Sequence, residues 1–169
     1  GGFTDCMLMH GAKKVFAVDV GYGQLDWKLR NDPRVVNMEK VNVRYLEPDT
    51  IPDRMDFVSI DVSFISLKLI FPVVRELLKK GGELVCLIKP QFEAGRGAVG
   101  KKGIVRQKSD HVRVLEKACA FFYSQGYGVC WLSHSPIRGG EGNVEYLTVL
   151  RKNGAEETIR TTVDEVVEK

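Results

Sequence analysis

The sequence predicts an α/β protein: a mostly parallel sheet, helices on both faces, and an antiparallel strand at the C-terminal end. Three observations predict it. Near-continuous apolar runs alternate with stretches of helical periodicity, the pattern of a parallel sheet covered on both sides. The last two apolar runs are joined by about eight residues, too few for a helical crossover, so they should pair antiparallel. A length of 169 residues, 44% of them hydrophobic, suffices for one domain with a full core.

The strands read in order as "KVFAVDV" (14–20), "VVNME" (35–39), "MDFVSIDV" (55–62), "ELVCLIK" (83–89), "YGVCWLSHS" (127–135) and "VEYLTVL" (144–150). Between them lie helices. "TDCMLMHG" opens on a Thr4/Asp5 cap and stops at Gly11. "LIFPVVRELLKKGG" starts near Pro72 and stops at Gly81. "SDHVRVLEKACAFFYSQG" carries a stripe at 112, 115, 118, 119 and 122 and closes at Gly126. From Ala155 onward, Ile159, Val163, Val166 and Val167 share one helical face, which predicts a tail helix packed on the domain.

Several function classes lose ground. No apolar run reaches the ~20 residues of a bilayer span, and no signal-peptide pattern opens the chain. Cys6, Cys86, Cys119 and Cys130 form no CxxC pair and sit in apolar runs, so buried free thiols of a reducing cytoplasm are expected, with no metal site. The charge is unevenly spread. Residues 89–113 carry seven basic side chains against two acids, whereas residues 155–169 carry five acids against two bases.

In doubly wound sheets, ligands gather at the carboxyl ends of the strands. There the sequence places Asp19 ("AVDVGYG"), Asn42 ("EKVNVRYL"), Asp61 ("SIDVSFIS") and Lys89 ("LIKPQFE"), with Glu145 opening the last strand ("EGNVEYL"). Asp19 is placed to accept both ribose hydroxyls of a nucleoside, and Asn42 to meet an adenine edge. Singly, each aspartate reads equally well as a helix or turn cap, and Glu145 reads more readily as a solvated strand residue. Together they put three charges of opposite sign at adjacent strand ends. A charge that ends a buried strand, as Lys89 does, is costly unless it has a partner or a task.

The blocks "GGFTD", "VFAVDVGYGQL", "VSIDVSFISL", "LIKPQFEAGR", "GKKGIVR" and "SPIRGGEGNVEYL" together resemble the TlyA family, proteins also called haemolysins, whose methyltransferase domain is FtsJ-like and Rossmann-like. The resemblance runs from Gly1 to about Arg151, placing the domain at 1–152 and a helical tail at 153–169. It implies S-adenosylmethionine (SAM) as cofactor and 2′-O-methylation of cytidine in ribosomal RNA. It implies Gly1, Gly2, Phe3, Thr4, Asp19, Val20, Asn42, Val43 and Asp61 around the cofactor. FtsJ-like enzymes use a Lys-Asp-Lys-Glu tetrad, three members of which map onto Asp61, Lys89 and Glu145. The opening "GGFTD" reads as the interior of a motif. The first lysine, the first strand and a small S4-type RNA-binding domain are therefore expected upstream, and this segment by itself is expected to have impaired activity.

The chemistry fits those residue types. A ribose hydroxyl must lose its proton as it attacks a sulfonium methyl. A lysine serves as base if its pKa falls from ~10.4 toward the working pH, which a second cation nearby brings about. Lys89 is then the candidate base or hydroxyl orienter, with Asp61 and Glu145 orienting the amines. The loop "PQFEAGRGAVGKKGIVR" offers Arg96, Lys101, Lys102 and Arg106 to phosphates and Phe92 to a base. Two other readings stay open: a membrane-active haemolysin, which needs an apolar span or a basic amphipathic helix, and a SAM- or RNA-binding module without catalysis. A cytoplasmic monomer is expected.

Overall fold

A computed structural model describes residues 1–153 and 162–168. They fall into two compact units, Gly1–Asp53 and Arg54–Lys169.

The first unit runs α1 (Gly2–Met9), β1 (Val15–Asp19), α2 (Trp27–Arg30) and β2 (Val35–Glu39). The two strands pair in parallel, Val15 opposite Val35 through Asp19 opposite Glu39. Leu8, Val15 and Leu29 form a small core, with Met7, Leu25 and Val35 packed against it. The first helix departs from expectation at its start. It begins at Gly2 with Gly1 as N-cap and no side-chain cap, and Thr4 lies buried inside it. Its end is as expected: Gly11 takes φ +89° and donates to Leu8 O, while Ala12 N reaches Met7 O. A side chain with a Cβ would resist that left-handed turn.

The second unit contains β3 (Met55–Ile60), α3 (Phe71–Leu77), β4 (Leu78–Ile88), α4 (Pro90–Glu93), α5 (Lys108–Ser124), β5 (Tyr127–His134), β6 (Tyr146–Lys152) and α6 (Val163–Glu168). Its sheet has the order β3-β4-β6-β5. β3 and β4 are parallel, and β6 runs antiparallel to both β4 and β5, as the short connection requires. The core is aromatic at its centre: Phe71 stacks on Phe122 with ring centres 5.0 Å apart and meets the Tyr127 ring edge-on at 5.3 Å. Leu84, Ile88, Leu115, Val129 and Leu150 of the same unit are also fully buried.

Two helices differ from the sequence reading. α3 stops at Leu77 rather than Gly81, because Leu78 is already extended (φ −89°, ψ 133°) and pairs with Met55. Gly81, at φ +74°, lies in the register shift that follows. Lys152 Nζ donates to Arg75 O and, at 2.6 Å, to Leu78 O, so a cation from β6 satisfies carbonyls at the end of the helix. In α5 the buried stripe is 111, 114, 115, 119 and 122, rotated from the expected one. The cause is His111, which turns inward to bond Val105 O at 2.9 Å and Tyr146 Oη at 3.0 Å. In the tail, α6 packs against α5 and β5 and buries Val166, whereas Ile159 lies outside the described residues.

Candidate active site

The chain leaves β4 at Ile88, and the next five residues organise the site of the second unit. Pro90 excludes the helical region for the residue before it. Lys89 is accordingly extended (φ −109°, ψ 101°) and serves as N-cap of α4, with Pro90 in the first turn. Lys89 Nζ lies 2.6 Å from Asp61 Oδ1 and 3.3 Å from Ser63 Oγ. The lysine side chain is 11% exposed and the aspartate 50%, so the cation is the more buried partner of the pair. The strand-end lysine thus has a partner.

Each remaining residue of α4 reaches a different neighbour. Gln91 Nε2 donates to Glu145 Oε1 at 2.9 Å. The Phe92 ring packs on Phe64 with centroids 5.1 Å apart. Glu93 accepts from Ser66 Oγ at 2.7 Å and from Leu67 N at 2.8 Å, which ties the turn to the segment after Asp61. Burial pushes the Glu93 carboxyl above the usual carboxylate range, opposed by those two hydrogen bonds.

Glu145 precedes β6, and the pairing of Ile88 with Tyr146 brings it beside the end of β4. It is 8% exposed. Its carboxylate rests against Gly139: a Cβ there would lie 2.1 Å from Glu145 Oε1. The glycine therefore makes room for the acid. Glu145 is joined to the lysine turn through Gln91, and no Lys89–Glu145 ion pair exists among the described residues.

Arg96, Lys101, Lys102 and Arg106 are all exposed. Their loop is anchored from beneath. Asn143 Nδ2 donates to Gly103 O (3.0 Å) and Gly140 O (3.2 Å), and Asn143 Oδ1 accepts from Val105 N (3.3 Å). Buried Asn143 thereby links the basic loop to the loop that carries Glu145. Phe64 is 91% exposed at φ +64°, an unusual conformation for a bulky residue.

The first unit holds the expected nucleoside residues. Asp19 ends β1, exposed, and its Oδ1 accepts from Gly21 N at 2.7 Å. Oδ2 meets no donor among the described residues. Asn42 is exposed, and its Oδ1 caps a short 3₁₀ turn by accepting from Arg44 N at 3.1 Å. Gly1 and Gly2 are exposed at the start of α1, Phe3 is half-buried, Val20 is exposed and Val43 half-buried. The bland reading of Asp19 as a cap is thus real for one of its two oxygens, and the single side-chain oxygen of Asn42 is likewise engaged as a cap.

Sequence reasoning missed Gln91, Phe64, Glu93, Ser63 and Gly139. The doubled glycine in "IRGGEG" was a signal for Gly139, whereas the others became visible through contacts between distant segments. Of the thiols, Cys86 and Cys119 are buried, but Cys6 is exposed, contrary to expectation. Among the described residues, no cluster suits a metal ion and no helix is long and apolar enough to cross a membrane.

The model of the FtsJ-like methyltransferase family matches residues 1–152. A relative from Bacillus subtilis (strain 168), named "Putative rRNA methyltransferase YqxC", is 56% identical over 155 residues, covering 91% of this chain and 55% of its own. The Mycobacterium tuberculosis (strain ATCC 25618 / H37Rv) protein named "16S/23S rRNA (cytidine-2'-O)-methyltransferase TlyA" is 44% identical over 151 residues, 89% of this chain and 56% of its own. The chain thus spans about half the length of these curated relatives. The solved structure "Putative hemolysin from Streptococcus thermophilus" superposes with a TM-score of 0.93 at 52% identity, over 99% of this chain and 62% of the other. N-methyltransferase NodS from Bradyrhizobium japonicum WM9, in complex with S-adenosyl-L-homocysteine, gives 0.60 at 12% identity, over 91% of this chain and 74% of the other, a likeness of fold. The fold is the Rossmann-like one of SAM-dependent methyltransferases, and the chain belongs to the FtsJ-like methyltransferase family.

Proposed function

We propose that the protein is a SAM-dependent RNA methyltransferase that methylates ribose 2′-hydroxyls, with cytidine of ribosomal RNA as substrate. The observation that carries this reading is the Lys89–Asp61 pair at 2.6 Å, set on the same turn that holds Glu145 through Gln91. The names of the relatives support the substrate class, and a ribosomal substrate implies work in the cytoplasm.

The first unit fits a nucleoside cofactor. Asp19 keeps one carboxylate oxygen for a ribose diol, and α1 begins on glycines with no side-chain cap, which leaves backbone N–H groups for a ligand. Gly1, Gly2, Phe3, Thr4, Asp19, Val20, Asn42 and Val43 are the residues proposed to hold it. SAM supplies an electrophilic sulfonium methyl when bound.

The protein's own part is to prepare the hydroxyl. Lys89 Nζ orients the ribose hydroxyl and takes its proton only as the neutral amine, a form that a second cation in the site favours against the opposing pull of Asp61. Asp61 fixes the amine, keeping its place rather than sharing its proton, and Glu145 balances the charge. Phe92 and Phe64 present ring faces to the target base, and Arg96, Lys101, Lys102 and Arg106 meet phosphates. The test is transfer of labelled methyl from SAM to ribosomal particles by the intact protein, followed by mapping of 2′-O-methylated nucleotides. Label on a base or on protein, or no label at all, would refute the proposal.

A further inference from the structure

Gln91 has no part in the Asp61–Lys89–Glu145 set, yet the site is built around its carboxamide. Nε2 donates to Glu145 Oε1 across 54 residues of sequence. Oε1 is buried and has no donor. Buried acceptors without donors are rare and mark places where a fold tolerates a cost for another purpose. Turning the amide over would set two oxygens against each other, so the observed orientation is the one that serves the carboxylate. Gly139 flanks the same acid closely, since a Cβ there would lie 2.1 Å from Glu145 Oε1. The backbone adds rigidity: Gln91 follows Pro90 in the short helix that begins at Lys89.

We propose that Gln91 is the positioning residue for Glu145, holding its carboxylate against Gly139 so that it stands beside the lysine turn in one orientation. The inference rests on the methyltransferase reading and deepens it. Packing by itself would need any side chain of similar volume, whereas positioning needs a hydrogen-bond donor aimed at the acid.

The experiment compares single-turnover methyl transfer to ribosomal particles by the intact wild type, Gln91→Ala and Gln91→Glu, with SAM binding measured by calorimetry. Gln91→Ala is expected to lose roughly 10- to 100-fold in rate, the cost of letting a site group drift by about 1 Å, with SAM affinity kept within about twofold. Gln91→Glu separates positioning from packing. Its introduced carboxyl donates to Glu145 while protonated and repels it once ionised, and like charges hold that proton to higher pH. The ratio of Gln91→Glu to wild-type rate should therefore fall at least about tenfold between roughly pH 6 and pH 9. If the alanine variant fails to fold, this ratio decides. A wild type that transfers no methyl overturns the methyltransferase reading and the inference with it. An active wild type with a flat ratio, or an alanine variant at wild-type rate, overturns the inference and leaves the function standing.

Discussion

The two units hold their candidate residues in opposite ways. In Gly1–Asp53, Asp19 and Asn42 are exposed and are fixed by backbone amides two positions along the chain, Gly21 N and Arg44 N. In Arg54–Lys169, the residues are fixed by side chains far away in sequence: Gln91 to Glu145 spans 54 positions, Ser66 to Glu93 spans 27 and Asn143 to Gly103 spans 40. Local clamps suit a recognition element whose parts act separately. Long-range clamps suit a reactive centre, where the loss of one contact displaces several groups.

That contrast can be broken, and the largest effect should come from the turn after β4. Lys89→Ala is expected to lose ~10²–10⁴ in single-turnover methyl transfer, with SAM affinity nearly intact. Lys89→Arg should fail as badly, because guanidinium keeps its proton. A near-wild-type rate for the arginine variant would show that Lys89 supplies charge and not basicity. Gly139→Ala comes next. A methyl group 2.1 Å from Glu145 Oε1 must displace that acid, and a misplaced group of this kind costs about 10² in rate. Rapid-quench kinetics beside SAM titration will show whether the loss stays in the chemical step.

Asp19→Ala should act on a different quantity. A lost charged hydrogen bond is worth ~1.5–3 kcal/mol, so SAM affinity should drop about tenfold or more, with the fold unchanged because the clamp is local. Unchanged affinity would leave Asp19 as a turn cap. The smallest effect concerns Glu93. Burial raises its carboxyl pKa above the unfolded value, so the folded state binds the proton more readily and stability falls as pH rises between the two values. Wild type should gain stability relative to Glu93→Gln as pH drops from neutrality through that window, as read from urea unfolding at each pH. Parallel curves would show that Glu93 does not set this slope.

The same contrast explains what could be read in the sequence. Strand positions were legible because their apolar runs are continuous, and Asp19, Asp61 and Lys89 were legible because each ends such a run. The end of α3 was not: Leu78 leaves the helix to pair with Met55, and Lys152, on the last strand, takes the carbonyls. His111 rotated the stripe of α5 for a similar reason, since its partners Val105 and Tyr146 lie in different segments. Gln91 reads as an ordinary loop residue until Glu145 is brought opposite. Phe64 carries no sequence signal for its positive φ.

Cys86 sits on β4 three residues before Lys89, fully buried, and the lack of solvent pushes its thiol well above the usual range. Cys119 is buried too and raised to about 11 by the same cause, whereas Cys6 is exposed. Alkylating reagents attack thiolates, so Cys86 can react when β4 separates from its neighbours and water enters. Its modification rate is therefore a clock for opening of the strand that delivers the lysine, read by mass spectrometry without a substrate or an assay for activity.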